Sequence, residues 1–249
     1  MSQPTTKTLR LGSTAPNFTS DTSIGELTFY DYVGPDHWCV LFSHPDDFTP
    51  VCTTELGAFA RLSPEFERRN CKMIGLSAND ANAHRRWIKD ITEITGSNVE
   101  FPIIADPNRN VALLYDMLDF EDARNIDDNG VQLTIRSVFI IDPNKIIRLI
   151  MSYPASCGRN TAEVLRALDA LQTSHKLNKT IATPINWVPG DDVIVAASLD
   201  DSSAKTLFPK FRAIKPYLRL TPLPKDDEWS PEQQALANHC RDQTSHPAA

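Results

Sequence analysis

From about Trp38 to His175 the chain alternates short apolar runs with longer amphipathic stretches, and this alternation limits its possible folds more than any other feature. Trp38–Ser43, Lys72–Ser77, Phe101–Ile104, Ser137–Ile141 and Ile146–Met151 are rich in Val, Ile, Leu and Phe and have the length of buried strands. Between them, Cys52–Arg61, Ser63–Arg69 and Ala81–Thr95 read as helices. The second opens Ser63-Pro64-Glu65, a cap with proline at the first helical position, and in the third His84, Trp87, Ile88 and Ile91 share one face. The last two strand runs flank Asp142-Pro143-Asn144-Lys145, where proline presets φ for a turn, so they are expected to pair as an antiparallel hairpin. Strand and helix in alternation predict an α/β layer fold with a mixed sheet. A further helix, Thr161–His175, follows Asn160 and carries Glu163, a capping-box variant.

After that helix the composition changes. Eight of the 18 prolines (Pro184, Pro189, Pro209, Pro216, Pro222, Pro224, Pro231 and Pro247) lie beyond residue 180. Proline removes a backbone donor and blocks helix interiors, so loops with short strands such as Val193–Ala196 and Tyr217–Leu220 are expected there. Burial of Trp187, Val193, Leu207, Phe208, Phe211 and Tyr217 in so short a segment calls for the main domain or a second subunit. The expected organisation is therefore a domain over 8–175, a small region over 176–221 and a Pro-rich tail over 222–249.

Twenty-five basic against 32 acidic side chains leave a net charge of -7, which lacks the basic footprint that nucleic acid requires. No unbroken apolar run reaches about 18 residues, so no membrane span is expected. The first ten residues, MSQPTTKTLR, lack the apolar core of a secretory signal, and the chain reads as non-secreted and cytoplasmic. Its five cysteines, Cys39, Cys52, Cys71, Cys157 and Cys240, include no CxxC pair and suit neither a disulfide framework nor a structural zinc site.

One of these cysteines is set apart by its surroundings. The strand ending at Ser43 runs into a proline-punctuated loop, which delivers Cys52 into the first turn of a helix. Unpaired N–H groups and the positive end of the helix dipole favour an anion there, and the thiolate is the nucleophilic form of cysteine. The residues around it have ordinary roles when taken singly. Thr49 and Pro50 can cap and start a helix, Glu55 suits a first turn, and His44, Arg136 and Arg159 can be solvated or locally bonded.

Thr49-Pro50-Val51-Cys52-Thr53-Thr54-Glu55, preceded by Ser43-His44-Pro45 and Asp47-Phe48, resembles the active-site loop of the peroxiredoxins, specifically their one-cysteine class. The resemblance continues through Phe101–Asp106, Arg136–Asp142, Tyr153-Pro154, Gly158-Arg159-Asn160, Ala182-Thr183-Pro184, Trp187 and Tyr217–Arg219. It implies a thioredoxin-like fold, with a small C-terminal α+β region joining a homodimer, and a thiol-dependent peroxidase acting on hydrogen peroxide and on alkyl or lipid hydroperoxides. No cofactor is implied.

By motif position Cys52 is then the peroxidatic cysteine, which forms a sulfenic acid. Thr49 offers its hydroxyl to the peroxide, Pro50 shields the sulfur, Arg136 holds the thiolate and developing oxyanion, and His44 lies beside the pocket. Glu55 and Arg159 orient Arg136. A Val-Cys-Pro resolving motif is absent, which favours an external reductant: glutathione, a thioredoxin-like protein or ascorbate. Cys240 keeps open a resolving thiol within the chain. Some one-cysteine relatives carry a lipase elbow, Gly-Asp-Ser-Trp-Gly; here Gly34-Pro35-Asp36-His37-Trp38-Cys39 has no serine and Tyr30 replaces its histidine, so no such activity is expected. A peroxide-sensing or chaperone-like protein switched by oxidation of Cys52 is the alternative reading.

Overall fold

The structure, a computed structural model, describes residues 8–120 and 122–223, which fall into two compact units divided between residues 161 and 162. The first contains, in order, β1 (Thr19–Ser20), β2 (Leu27–Thr28), α1 (Phe29–Val33), β3 (Trp38–Ser43), α2 (Pro50–Arg61), α3 (Ser63–Arg68), β4 (Cys71–Ser77), α4 (Ala81–Thr95), β5 (Ile103–Ala105), α5 (Asn110–Leu114), β6 (Arg136–Ile141) and β7 (Ile147–Tyr153). Its main sheet has the order β5-β4-β3-β6-β7. Strands β5, β4 and β3 run parallel, whereas β6 is antiparallel to both β3 and β7. The mixed sheet and its hairpin match the sequence reading.

All six residues of β3 are buried, as a strand with partners on both sides and covered faces demands. Cys39, Leu41, Ile74, Leu76, Ile104, Phe139, Ile141 and Ile147 build the core on one face with Phe29 and Tyr115. Each such side chain contributes roughly 1.5–3 kcal/mol by leaving water. The register places Phe42 opposite Val138, and Ser43 Oγ accepts from Ser137 N at 3.1 Å. The last residue of β3 thus lies beside the first residues of β6. That adjacency brings Arg136 to the place where the chain leaves β3 for α2.

Two local expectations are revised. Ser63 lies inside α3, with Leu62 before it, and offers no cap; Leu62 N already bonds back to Ala58 O and Phe59 O, so the chain never adopts the extended backbone that an N-cap needs. Strand β5 starts at Ile103 rather than Phe101, because Pro102 has no N–H to give a ladder.

The second unit comprises α6 (Thr161–Lys176), β8 (Ile181–Ala182), β9 (Val193–Val195), α7 (Asp201–Leu207), β10 (Arg212–Lys215) and β11 (Leu218–Thr221). Its antiparallel sheet has the order β10-β11-β9-β8. Helix α6 belongs with this unit rather than with the domain expected to end at 175, since its Ala170 packs against the cluster of Leu177, Ile181, Trp187, Val193, Leu207 and Phe208. Phe211 is half-buried, but Tyr217 is 79% exposed and contributes no core. Cys240 and nearly all of the Pro-rich tail lie outside the described residues.

Candidate active site

Cys52 sits in the first turn of α2, fully buried, with Thr49 in extended backbone as the preceding cap residue and Pro50 at the start of the helix. Thr49 does not cap with its side chain. Its hydroxyl donates to Asp46 O at 2.9 Å, and Thr53 donates to Thr49 O through both N (3.0 Å) and Oγ1 (2.7 Å). The entry to the helix is therefore tied on both sides.

Arg136, from the start of β6, reaches the sulfur: its Nη1 donates to Cys52 Sγ at 3.2 Å and to Glu55 Oε2 at 2.8 Å. Nε and Nη2 of the same guanidinium both donate to Ala155 O, at 3.0 and 2.7 Å, which fixes the plane of the group. Glu55 lies one turn along α2 from Cys52 and receives Arg159 as well. Arg159 N and Nε donate to Oε1 at 2.6 and 3.0 Å, and Nη2 donates to Oε2 at 2.8 Å. Arg159 is anchored further by Ser43 O and Ser137 O and lies over the rings of Phe42 and Phe59. Burial opposes the Glu55 carboxylate, but hydrogen bonds and charge from Arg159, then Arg136, outweigh it and hold the carboxyl below its usual range. One carboxylate thus fixes two buried guanidiniums, one of which faces the thiol.

His44 does not join this cluster. Its Nε2 donates to Asp47 Oδ1 at 2.8 Å, its Nδ1 is buried without a partner among the described residues, and its ring lies 5.0 Å from that of Trp87. The other Asp47 oxygen is 2.7 Å from Nδ1 of His84, a fully buried residue on α4. Sequence reasoning placed His84 on the apolar face of that helix without a task. The signal was available, because a histidine among Trp87 and Ile91 needs a polar partner once buried. Trp87 in turn donates from Nε1 to Thr53 Oγ1 at 3.1 Å, linking α4 to the helix of Cys52.

Of the other thiols, Cys39 and Cys71 are buried and burial raises both well above the usual thiol range, while Cys157 is exposed. An apolar groove of about 410 Å³, lined by Phe48, Thr49, Pro50, Thr53, Trp87 and Ile94 among others, opens beside the start of α2. Among the described residues no helix is long and apolar enough to cross a membrane.

Residues 11–150 match the AhpC/TSA family, and residues 170–210 match the C-terminal domain of 1-Cys peroxiredoxin. The chain is 58% identical over 214 residues to a mitochondrial peroxiredoxin of Saccharomyces cerevisiae, covering 86% of this chain and 80% of that protein. It is 47% identical to peroxiredoxin-6 of Gallus gallus, covering 87% and 99%. Its fold superposes on a cysteine-to-serine mutant of peroxiredoxin 6 from Arenicola marina with a TM-score of 0.82 at 42% identity, covering 88% of this chain and all of that one. The TM-score is 0.79, at 57% identity, to a yeast mitochondrial 1-Cys peroxiredoxin described with thiol resolution via glutathione/thioredoxin systems; 86% of this chain and all of that one are covered.

The yeast relative overturns the expectation of a cytoplasmic protein, since it is mitochondrial at 58% identity. That expectation rested on a missing apolar signal core, but mitochondrial transit peptides are basic and amphipathic and have no such core, so the criterion could not separate the two locations. Fold, helix-borne cysteine and relatives agree: the chain belongs to the peroxiredoxins of the AhpC/TSA family, with the C-terminal domain of the 1-Cys class, and is a thiol-dependent peroxidase.

Proposed function

We propose that Cys52 is the peroxidatic nucleophile of a one-cysteine cycle. The sulfur attacks the nearer oxygen of a hydroperoxide, the O–O bond breaks, and an S–O bond forms. The departing oxygen leaves as water or an alcohol after taking a proton, so the thiol is oxidised to a sulfenic acid as the peroxide is reduced. The observation that carries this reading is Arg136 Nη1 at 3.2 Å from the sulfur, in a guanidinium already fixed by Glu55 and Ala155 O. Held there, it stabilises the thiolate and the charge that develops on the peroxide oxygens without rearranging.

The hydroxyl proton of Thr49 is committed to Asp46 O, so toward the substrate this oxygen acts as an acceptor for a peroxide O–H. Pro50 puts a ring without an N–H at the mouth of the site and excludes water. The apolar groove beside it suits the carbon chain of an organic hydroperoxide. Glu55 and Arg159 orient Arg136, and His44 adds an acceptor near the loop.

The sulfenic acid is reduced by an external thiol, glutathione or a thioredoxin-like protein, as the systems described with the yeast relative suggest. The C-terminal domain supports assembly as a homodimer, and the yeast relative supports a mitochondrial location. Stopped-flow measurement of peroxide loss, with intact mass after one equivalent of peroxide and a sulfenic-acid trap, tests the cycle. Wild type is expected to trap at Cys52, and Cys52→Ser to lose all turnover. Turnover that survives Cys52→Ser, or a disulfide from Cys52 to Cys240, overturns it.

A further inference from the structure

His84 lies outside the loop motif, yet it closes a buried chain of three side chains, His44, Asp47 and His84, none of which is exposed beyond 3%. Both ring nitrogens of His84 face acceptors: Nδ1 is 2.7 Å from Asp47 Oδ2 and Nε2 is 3.1 Å from Ile104 O. A carbonyl oxygen can only accept, so Nε2 carries hydrogen. An ionised carboxylate can only accept, so Nδ1 carries hydrogen too. Asp47 is ionised, because the hydrogen bonds from His44 and His84 outweigh the opposing effect of burial and hold its carboxyl at about 2. The pair Asp47 and His84 is thus a buried carboxylate with a doubly protonated imidazole.

The same reasoning fixes His44. Its Nε2 faces the other carboxylate oxygen at 2.8 Å and must donate. Burial lowers the proton affinity of its ring, against the opposing pull of Asp47, so the ring is neutral and Nδ1 carries a bare lone pair. That nitrogen is buried and has no hydrogen-bond partner among the described residues. Arg136 supplies only donors to the site, whereas hydrogen peroxide arrives with two O–H groups: Thr49 Oγ1 can accept one of them, and the other needs a further acceptor. We infer that His84 is a positioning residue of the peroxidase site: through Asp47 it holds His44 in the tautomer whose Nδ1 accepts a hydrogen bond from the peroxide.

This rests on the peroxidase reading of Cys52 and specifies its machinery further. Packing holds the chain in register: Asp80 caps α4 by accepting from Asn82 N and Ala83 N, and Asp47 N donates to Asn79 Oδ1 at 3.0 Å. His84 therefore meets Asp47 from a rigid helix rather than from a loop.

The test is a two-bond proton–nitrogen correlation spectrum of the histidine rings in the full, reduced, ¹⁵N-labelled protein, with peaks assigned by His44→Gln and His84→Gln. Two protonated nitrogens on His84 and a protonated Nε2 with bare Nδ1 on His44 are expected. In His84→Gln, His44 is expected to populate both tautomers, and the rate of Cys52 oxidation by hydrogen peroxide to fall about tenfold to a hundredfold. A single proton on His84, a protonated Nδ1 on His44, or a wild-type rate in folded His84→Gln overturns the inference. The wild-type spectrum decides even if the variant fails to fold. Loss of the Cys52 assignment would show separately, as turnover retained by Cys52→Ser.

Discussion

Nη1 of Arg136 is shared between Cys52 Sγ at 3.2 Å and Glu55 Oε2 at 2.8 Å, so one donor ties the nucleophile to a buried carboxylate on the same helix. The guanidinium also grips Ala155 O with two further nitrogens. A lysine ammonium cannot span these three acceptors at once. Arg136→Ala is expected to lower kcat/KM for hydrogen peroxide by about 10²–10³-fold, as for loss of one aimed donor. Arg136→Lys should recover only part of that, and stopped-flow kinetics with both variants checks the order.

Glu55 is the only carboxylate that the described hydrogen bonds bring to both Arg136 and Arg159, each buried. Glu55→Gln leaves two guanidiniums in the interior with a neutral partner. Removing one member of such a buried network costs about 3–5 kcal/mol, far beyond an exposed ion pair. Urea denaturation should show that loss, and peroxide reduction should slow because Arg136 is no longer held. Wild-type stability in Glu55→Gln would contradict the geometry.

The sheet was legible in the sequence because each strand is a short apolar run whose burial leaves little choice of element; β3 and α4 were read to the residue. The cluster of Cys52, Arg136, Glu55 and Arg159 was legible only through resemblance, since nothing local says that Arg136 lies across the sheet from α2. The pairing of β3 with β6 creates that contact. The role of His84 was missed for the opposite reason. Helical periodicity assigned His84 to a core face and was right about its burial, but periodicity carries no information on which carboxylate would meet it.

Gly57 faces the C-terminal end of α4 at close range. A Cβ built there would lie 2.5 Å from Thr95 Cγ2 and 2.8 Å from Oγ1. Thr95 cannot simply rotate away, because its hydroxyl donates to Ile91 O and accepts from Ser97 N. Gly57→Ala is therefore expected to destabilise the protein by about 1–3 kcal/mol through overpacking, despite the better helix propensity of alanine. Adding Thr95→Ala should recover most of the loss, and a double-mutant cycle by urea denaturation measures the coupling.

Thiol accessibility should separate the remaining cysteines. Cys39 and Cys71 are buried, and burial pushes both thiols up, whereas Cys157 is exposed. Brief treatment of the native protein with N-ethylmaleimide should modify Cys157 and leave Cys39 and Cys71 untouched until denaturant is added. Peptide mapping reads the result directly. Alkylation of Cys71 at the rate of Cys157 would show that β4 opens in the native state.

Acid should weaken the fold through two carboxylates beside the site. Asp47 has a folded value of about 2 against an ordinary 3.8, and Glu55 also lies below its ordinary 4.5. Groups depressed in this way contribute stability that is fully present above the ordinary values. The contribution fades as pH falls through that range toward the folded values, since the unfolded chain takes up the protons first. For Asp47 it amounts to roughly 2 kcal/mol. Denaturation midpoints measured from pH 6 down to pH 2 should therefore be steady to about pH 4.5 and then fall steeply. In Asp47→Asn the limb below pH 4 should be shallower, because the group that titrates there is gone; an unchanged limb would place Asp47 outside the network that His44 and His84 define.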